Sequence, residues 1–209
     1  MRKRHPHILI YFVFIFFISL LCNSCNKNED EDNVPEPVQI LHNTDMESGI
    51  YGDLDKWGPK YWFDFVDPPD GDLDLAWSED VYYSSTRSLM ISSSISYDST
   101  AGGWGQFINS GIITNQNIKL TVKIKAENLE GLGAAILIIA YKTPQYEMLK
   151  FESTEGTIDI NGTFDWKEYS LVMDSVPEET NAMFVYLIYL PQTTGTVYFD
   201  DAKLTYEDT

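Results

Sequence analysis

The chain has 209 residues, with 32 acidic against 14 basic side chains and a formal net charge of -18. Hydrophobic residues make up 44% of it and aromatic residues 14%, which is enough apolar material for a packed core and excludes a disordered polyanion. The acid excess excludes nucleic acid as a partner, because binding phosphates requires a basic surface. The only cysteines are Cys22 and Cys25, so the rest of the chain has neither a disulfide framework nor a thiolate metal site.

The start of the chain is predicted to be an export signal. Three basic side chains at positions 2–4 precede a predominantly apolar stretch over 8–21. That stretch is short for a membrane-spanning helix, which needs roughly 20 residues, but it suits a signal peptide. Ser24-Cys25 follows shortly after it and resembles a bacterial lipobox. The resemblance implies a signal peptide over 1-24, cleavage before Cys25 and acylation of that cysteine. The alternatives are a plain secretory signal and an uncleaved anchor.

The segment after the cysteine is predicted to be an acidic flexible tether over 25-37. It reads Asn-Lys-Asn-Glu-Asp-Glu-Asp from position 26, which resembles the surface-export signal of Bacteroidota lipoproteins. The resemblance implies an outer membrane lipoprotein at the cell surface; a tether in the periplasm is the alternative. Paired prolines near its end keep such a linker extended. The mature chain would carry 11 basic and 32 acidic side chains, a charge of -21, with Arg87 as its single Arg and His42 as its single His.

The remainder, 38-209, is predicted to be one all-β domain. Short apolar runs and alternating patterns recur, separated by turn residues, and no helical period persists. Lys119–Ala126 is the clearest strand, with apolar side chains on one face and lysines on the other. Many short strands without intervening helices predict an antiparallel β-sandwich. The predicted strands are Val38–His42, Ser88–Ser93, Gly105–Asn109, Lys119–Ala126, Ala134–Lys142, Glu147–Ser153, Gly156–Ile160, Trp166–Val172, Ala182–Leu190 and Thr196–Leu204.

Six motifs in order resemble carbohydrate-binding modules of the CenC type, which have a galactose-binding-like jelly roll. They span about residues 38–206, and the resemblance implies that fold for the whole domain. Two positions depart from the family pattern: Met46 replaces an aromatic residue and Ser85 replaces a glycine. The motifs are N-T-D-M-E-S-G from Asn43, S-S-T-R-S-L-M-I from Ser84, W-G-Q from Trp104, G-T-F-D-W-K-E-Y-S-L from Gly162, V-P from Val176 and G-T-V-Y-F-D-D-A-K-L from Gly195.

The same resemblance implies a structural calcium ion. In such modules the ion joins the glutamate of the opening motif to the aspartate of the closing strand, which are Glu47 and Asp200 here. An acid before the second motif, Glu79 or Asp80, would complete the site, and we take Asp80. Calcium prefers several oxygen ligands, and it would connect the first and last strands. The alternative is that these carboxylates only accept hydrogen bonds.

The expected function is non-catalytic binding of neutral glycans, in which sugar rings stack on exposed aromatic side chains. In the resembled modules the ligand lies on the concave sheet or at loop tips. Tyr141 and Tyr186 are the sheet candidates, and Trp62, Trp77 and Tyr82 are the candidates at the loop rim. The expected partners are a neutral poly- or oligosaccharide, the outer membrane, and glycan-uptake or glycoside hydrolase proteins.

The alternative to glycan binding is a structural or protein-binding β-sandwich of the cell envelope. An enzyme is not expected, because a serine triad would have to use His42 and no G-x-S-x-G motif occurs. A polysaccharide lyase is disfavoured by the single Arg, the single His and the negative charge. Counting acids does not exclude a glycosidase with two carboxylates.

Overall fold

A computed structural model describes residues 38–51, 57–68 and 72–207, which belong to one compact unit. The predicted signal peptide, Cys25 and the predicted tether lie outside the described residues. Within these ranges the secondary structure is strand and turn, and no helix occurs. The described part therefore contains no helix that could cross a membrane.

The described residues form twelve strands, which build two five-stranded antiparallel sheets and one short hairpin. Sheet I has the order β10-β7-β12-β5-β4, and sheet II has the order β3-β6-β11-β8-β9, while β1 pairs with β2. The strands are β1 (Gly49–Tyr51), β2 (Trp57–Pro59), β3 (Phe63–Asp67), β4 (Asp74–Ser78), β5 (Ser88–Ser93), β6 (Ala101–Ile108), β7 (Ile118–Glu130), β8 (Ala134–Lys142), β9 (Glu147–Ser153), β10 (Gly162–Met173), β11 (Ala182–Tyr189) and β12 (Thr194–Tyr206).

The core lies between the two sheets and follows from the alternation of apolar side chains. On β7 of sheet I, Val122 and Ile124 are fully buried, while Lys123 between them is partly exposed. On β11 of sheet II, Val185 and Leu187 are fully buried in the same cluster. Period-2 side chains on both sheets therefore meet face to face, as in a β-sandwich. The predicted all-β jelly-roll fold is confirmed.

Several strand predictions match the structure and others need correction. The predicted ends of β5, β8 and β9 agree with the observed ones. The segment between the first two predicted strands, where Trp62 and Trp77 were expected in loops, contains the four strands β1 to β4. The predicted strand Gly156–Ile160 is a turn, because the amides of Thr157 and Ile158 donate to the carbonyl of Thr154. The predicted strand Val38–His42 forms one isolated bridge, from Gln39 to Thr205.

Candidate functional site

The outward face of sheet II carries a continuous set of aromatic side chains, which we name the ring face. The strand register explains it. Tyr186 on β11 lies opposite Gly105 on β6, and Gly105 lies opposite Phe63 on β3. Two residues before Tyr186 on the same strand, Phe184 lies opposite Phe107. Since alternate residues point to the same side of a strand, these side chains share one surface. The ring face consists of Phe63, Phe65, Phe107, Tyr141, Tyr146, Phe184 and Tyr186.

The rings contact one another in stacked, edge-to-face and tilted orientations. Phe184 and Tyr186 are parallel, with 5.5 Å between centroids and 6° between planes. Phe63 stands nearly perpendicular to both, at 85° and 86°, and Tyr141 is at 85° to Phe184. Tyr146, in the turn between β8 and β9, lies beside Tyr141 and Phe107. Aromatic pairs prefer edge-to-face and offset arrangements, so neighbouring rings stabilise one another's positions.

Glycines on β6 make room for these rings. A Cβ atom at Gly105 would lie 2.5 Å from Cζ of Phe63 and 2.8 Å from Cε1 of Tyr186. A Cβ atom at Gly103 would lie 2.8 Å from Cε1 of Phe65. All three distances are shorter than van der Waals contact, so the rings lie directly over the backbone of β6. Any larger residue at these positions would displace them.

The ring face continues into aliphatic side chains on the neighbouring strands. Ala135 and Leu137 of β8 pack with Leu190, and Tyr186 and Ile188 lie against this second apolar cluster. Further residues facing this side by register are Ile139, Met148 and Phe151. Because Phe63 is 40% exposed and Phe151 47%, the surface is open to solvent rather than sealed. A large apolar surface of this kind indicates an interaction site.

The outward face of sheet I has the opposite character. Lys123 of β7 pairs with Glu168 of β10, with 3.2 Å between Nζ and Oε2. Lys125 likewise lies 3.3 Å from a carboxylate oxygen of Asp165. These are exposed ion pairs, which contribute little to stability. One aromatic pair, Tyr83 with Trp166, lies beside Lys123 on this face, whereas sheet II carries a continuous set of rings.

The ring face also offers phenol hydroxyls. Burial raises the pKa of the Tyr186 hydroxyl, and the nearby Tyr141 raises it further. Tyr186 therefore keeps its proton at neutral pH and can donate a hydrogen bond to a ligand. Sugar recognition combines an apolar surface for the C–H groups with a few polar groups for the hydroxyls, and these residues supply both.

A second organised region is the loop over 79–87, which Glu47 holds at one end. The Glu47 carboxylate accepts hydrogen bonds from the amide and hydroxyl of Thr86, at 2.8 and 2.7 Å, and from the amide of Arg87, at 2.8 Å. Burial alone would raise the pKa of Glu47, but the hydrogen bonds from Thr86 and Arg87 outweigh it, and the pKa is lowered. The ionised form is therefore the one that holds the loop.

Asp200 holds the same loop from the end of the chain. It is 0% exposed. One carboxylate oxygen accepts from the amides of Tyr83 and Ser84, both at 2.8 Å. The other accepts from the Ser84 hydroxyl at 2.9 Å and from the amide of Asp201 at 2.6 Å. Burial raises the pKa of Asp200, and the hydrogen bonds from Ser84 and Tyr83 oppose that rise.

These contacts do not fit the predicted calcium site at Glu47, Asp80 and Asp200. All four carboxylate oxygens of Glu47 and Asp200 already accept from N–H or O–H donors. Donors directed at an oxygen present positive charge where a cation would need free lone pairs. Among the described residues no group of three His, Cys, Asp or Glu side chains is arranged to hold a metal ion. In this structure hydrogen bonds join Glu47 and Asp200 to the 79–87 loop, and calcium at these residues stays a prediction.

The predicted rim residues lie apart from the ring face. Trp62 is 4% exposed, and its indole N–H donates to the carbonyl of Asn43, so it belongs to the core. Trp77 donates to the carbonyl of Met46, and the Arg87 guanidinium lies 3.8 Å over its ring. Trp62 therefore has no exposed face for a sugar ring, and the Arg87 guanidinium covers one face of Trp77. Tyr82 is 43% exposed, in the 79–87 loop.

The structure brings Tyr141 and Tyr186 together through Phe184, and it adds phenylalanines that the sequence analysis did not select. A signal for them exists in the sequence. Phe63 and Phe65, like Phe184 and Tyr186, are separated by two positions, and so are Gly103 and Gly105. In a strand such spacing places both side chains on one face and leaves a gap at the glycines.

Comparisons with known proteins identify the fold. The sequence matches no protein-family model and no curated protein. Among solved structures, the chain is similar to the Stig cyclase Fisc from Fischerella sp. TAU, solved in complex with an indole compound. The TM-score is 0.59 at 17% identity, covering 83% of this chain and 99% of the cyclase.

Carbohydrate-binding modules are also similar to it. A family-4 module has a TM-score of 0.51 at 16% identity, covering 80% of this chain and 99% of the module. A family-61 module from a complex with β-1,4-galactotriose has a TM-score of 0.50 at 13% identity, covering 81% and 99%. At such identities the likeness shows a shared fold and no more. The chain thus has the β-sandwich fold found in carbohydrate-binding modules, as its motifs predicted.

Proposed function

We propose that the ring face binds neutral glycans without catalysing a reaction on them. The observation that carries the proposal is the register of sheet II, which places rings from β3, β6, β8 and β11 on one open surface. Sugar rings stack their axial C–H groups on such side chains, and the hydroxyls of Tyr141 and Tyr186 supply hydrogen bonds. The fold shared with carbohydrate-binding modules supports the same assignment.

The proposal includes the location of the protein. Acyl chains on Cys25 would hold the chain in the outer membrane, with the domain at the cell surface, because several buried chains give a firm anchor. Capture there would raise the local concentration of glycan for uptake or glycoside hydrolase partners. The charge of the mature chain would repel anionic glycans, which favours neutral ones.

A glycan array, followed by titration of the ligand that binds most tightly, tests this function. Tyr186→Ala and Tyr141→Ala should each weaken binding about fivefold, since a stacked ring contributes about 1 kcal/mol. Tyr82→Ala is the matched control, because this exposed tyrosine lies in the 79–87 loop and not on sheet II. Loss of binding in the control alone would place the site on the loop and contradict the proposal.

The same titration tests the absence of catalysis. One structural neighbour is a cyclase, and a fold by itself does not separate binding from reaction. Analysis of the bound glycan after prolonged incubation should return it unchanged. Turnover that is lost in Tyr186→Ala would make the ring face an active site.

A protein-docking function is the second candidate, because the ring face continues into Leu137, Ile188 and Leu190 as one apolar surface. A protein interface would use this whole area. If no glycan binds and the chain sediments as a dimer that Phe63→Glu separates, the docking function replaces the proposed one.

A further inference from the structure

The ring face contains few polar atoms for a surface that would bind a polyhydroxylated ligand. Phe63, Phe65, Phe107 and Phe184 have none in their side chains. Two polar side chains also face this way by register, Asp67 and Ser153, and each is the last residue of its strand. The neighbours beside the rings are made of carbon or of carbon and sulfur: Leu137, Ile139, Met148, Phe151 and Ile188.

Three hydroxyls therefore supply the polar contacts among the described ring-face members, on Tyr141, Tyr146 and Tyr186. Each pyranose unit of a bare glycan carries about three hydroxyls, and those that meet phenylalanine lose water without gaining a partner. A neutral glycan in which some hydroxyls are replaced by apolar groups would lose less binding free energy in this way. An acyl ester is such a replacement, since it removes an O–H donor and adds a methyl group and a carbonyl acceptor.

The shape of the surface also favours a glycan that carries small acyl groups. Phe63 stands at 86° to Tyr186, and Phe65 at 77° to it, so the rings form an uneven relief rather than a flat platform. A flat polysaccharide crystal would touch only the highest rings. Small groups that project from a single chain can lie between perpendicular rings and contact both a face and an edge.

We propose that the ring face prefers O-acetylated neutral glycans to the same glycans without acetyl groups. This inference rests on the proposed glycan-binding function. The acetyl methyl packs among Phe63, Phe65 and Phe184. The acetyl carbonyl accepts a hydrogen bond from the Tyr186 hydroxyl, which keeps its proton at neutral pH. Acetylation adds no charge, so the acidic protein does not repel the ligand.

The test uses matched ligands: O-acetylated xylo- and manno-oligosaccharides and the same samples after mild alkaline removal of the esters. Titration calorimetry with the whole chain should show about fourfold weaker binding for each buried methyl that is removed. Equal or tighter binding of the bare oligosaccharides would overturn the preference and leave the proposed function intact. Failure of both forms to bind, together with an empty glycan array, would overturn both.

Two variants connect the preference to the ring face. Tyr186→Phe keeps the ring and removes only the hydroxyl, and it should weaken binding of the acetylated ligand about three- to tenfold, the range of one hydrogen bond. Phe63→Ala lies on the exposed edge strand and should reduce the ratio between the two ligand forms. An unchanged ratio in Phe63→Ala and unchanged binding in Tyr186→Phe would show that any preference arises elsewhere, which would refute the inference.

Discussion

Replacement of Gly105 by alanine would test whether the positions of the rings matter, since it removes no ring but displaces two of them. The new Cβ atom would lie 2.5 Å from Cζ of Phe63 and 2.8 Å from Cε1 of Tyr186. Ordinary contacts begin near 3.4 Å. The two rings together must therefore retreat by about 1 Å, because β6 is held between β3 and β11 and cannot move away.

The effect on stability should be small and the effect on binding larger. Overpacking costs about 1–3 kcal/mol, while alanine recovers about 0.5–1 kcal/mol of the entropy that glycine loses in a strand. Phe63 is partly exposed and can swing outward, so we expect a net loss of about 0–2 kcal/mol. Glycan binding should weaken at least fivefold, because two stacking surfaces move at once.

Gly58→Ala is the matched control, since no atom lies within 4 Å of a Cβ at that strand position. Urea unfolding would give the stability of both variants, and titration with the array ligand would give their affinities. We expect Gly58→Ala to bind as the unaltered chain does. If Gly105→Ala is folded and binds equally well, the glycan does not contact Phe63 or Tyr186, and the assignment of the site is refuted.

The remaining predictions concern the 79–87 loop and the anchor. Asp200→Asn should lower the free energy of unfolding by about 2–4 kcal/mol in urea, because at least one buried amide loses its acceptor. Asp201→Asn, whose carboxylate pairs with a lysine at the surface, should change it by less than about 0.5 kcal/mol; equal losses would contradict the role of Asp200. The pKa of Glu47 is lowered, so the ionised carboxylate stabilises the folded state at neutral pH. This stabilisation is lost as the carboxylate protonates. The stability difference between Glu47→Gln and the unaltered chain should therefore shrink as the pH falls below 4.5, and a constant difference in thermal melts would exclude this. Melts with and without a calcium chelator should coincide, and a drop of several degrees would restore the calcium site. Cys25→Ser should release the protein from the membrane fraction, whereas retention there would exclude the lipid anchor.

The sequence predicts the central strands well because their patterns are strong. β8 and β9 are apolar or alternating runs separated by a turn that contains Pro144, and both sets of ends agree with the structure. β3 and β4 are edge strands of sheets II and I. Edge strands carry polar side chains, and in β3 Asp64 lies between two phenylalanines. This acidic composition resembles a loop, which explains why these strands were missed.

The candidate site could be predicted only in part. Tyr141 and Tyr186 follow from the apolar strands that carry them, but the phenylalanines that complete the face depend on the register of four strands. Trp62 and Trp77 illustrate the opposite error. A tryptophan in a polar segment suggests an exposed ring, yet backbone carbonyls satisfy both indole N–H groups and the rings pack inward.

The position of β12 has a consequence for how the protein matures. It is the last strand in sequence, yet it lies in the middle of sheet I, where β7 and β5 pair with it from either side. It also supplies Asp200, the anchor of a loop more than a hundred residues earlier. Sheet I therefore stays incomplete until β12 is available, because this strand lies at its centre and follows the other described strands in sequence. If the predicted leader directs the chain through a membrane pore, sheet I would remain incomplete during passage. It would form only after β12 has crossed the membrane.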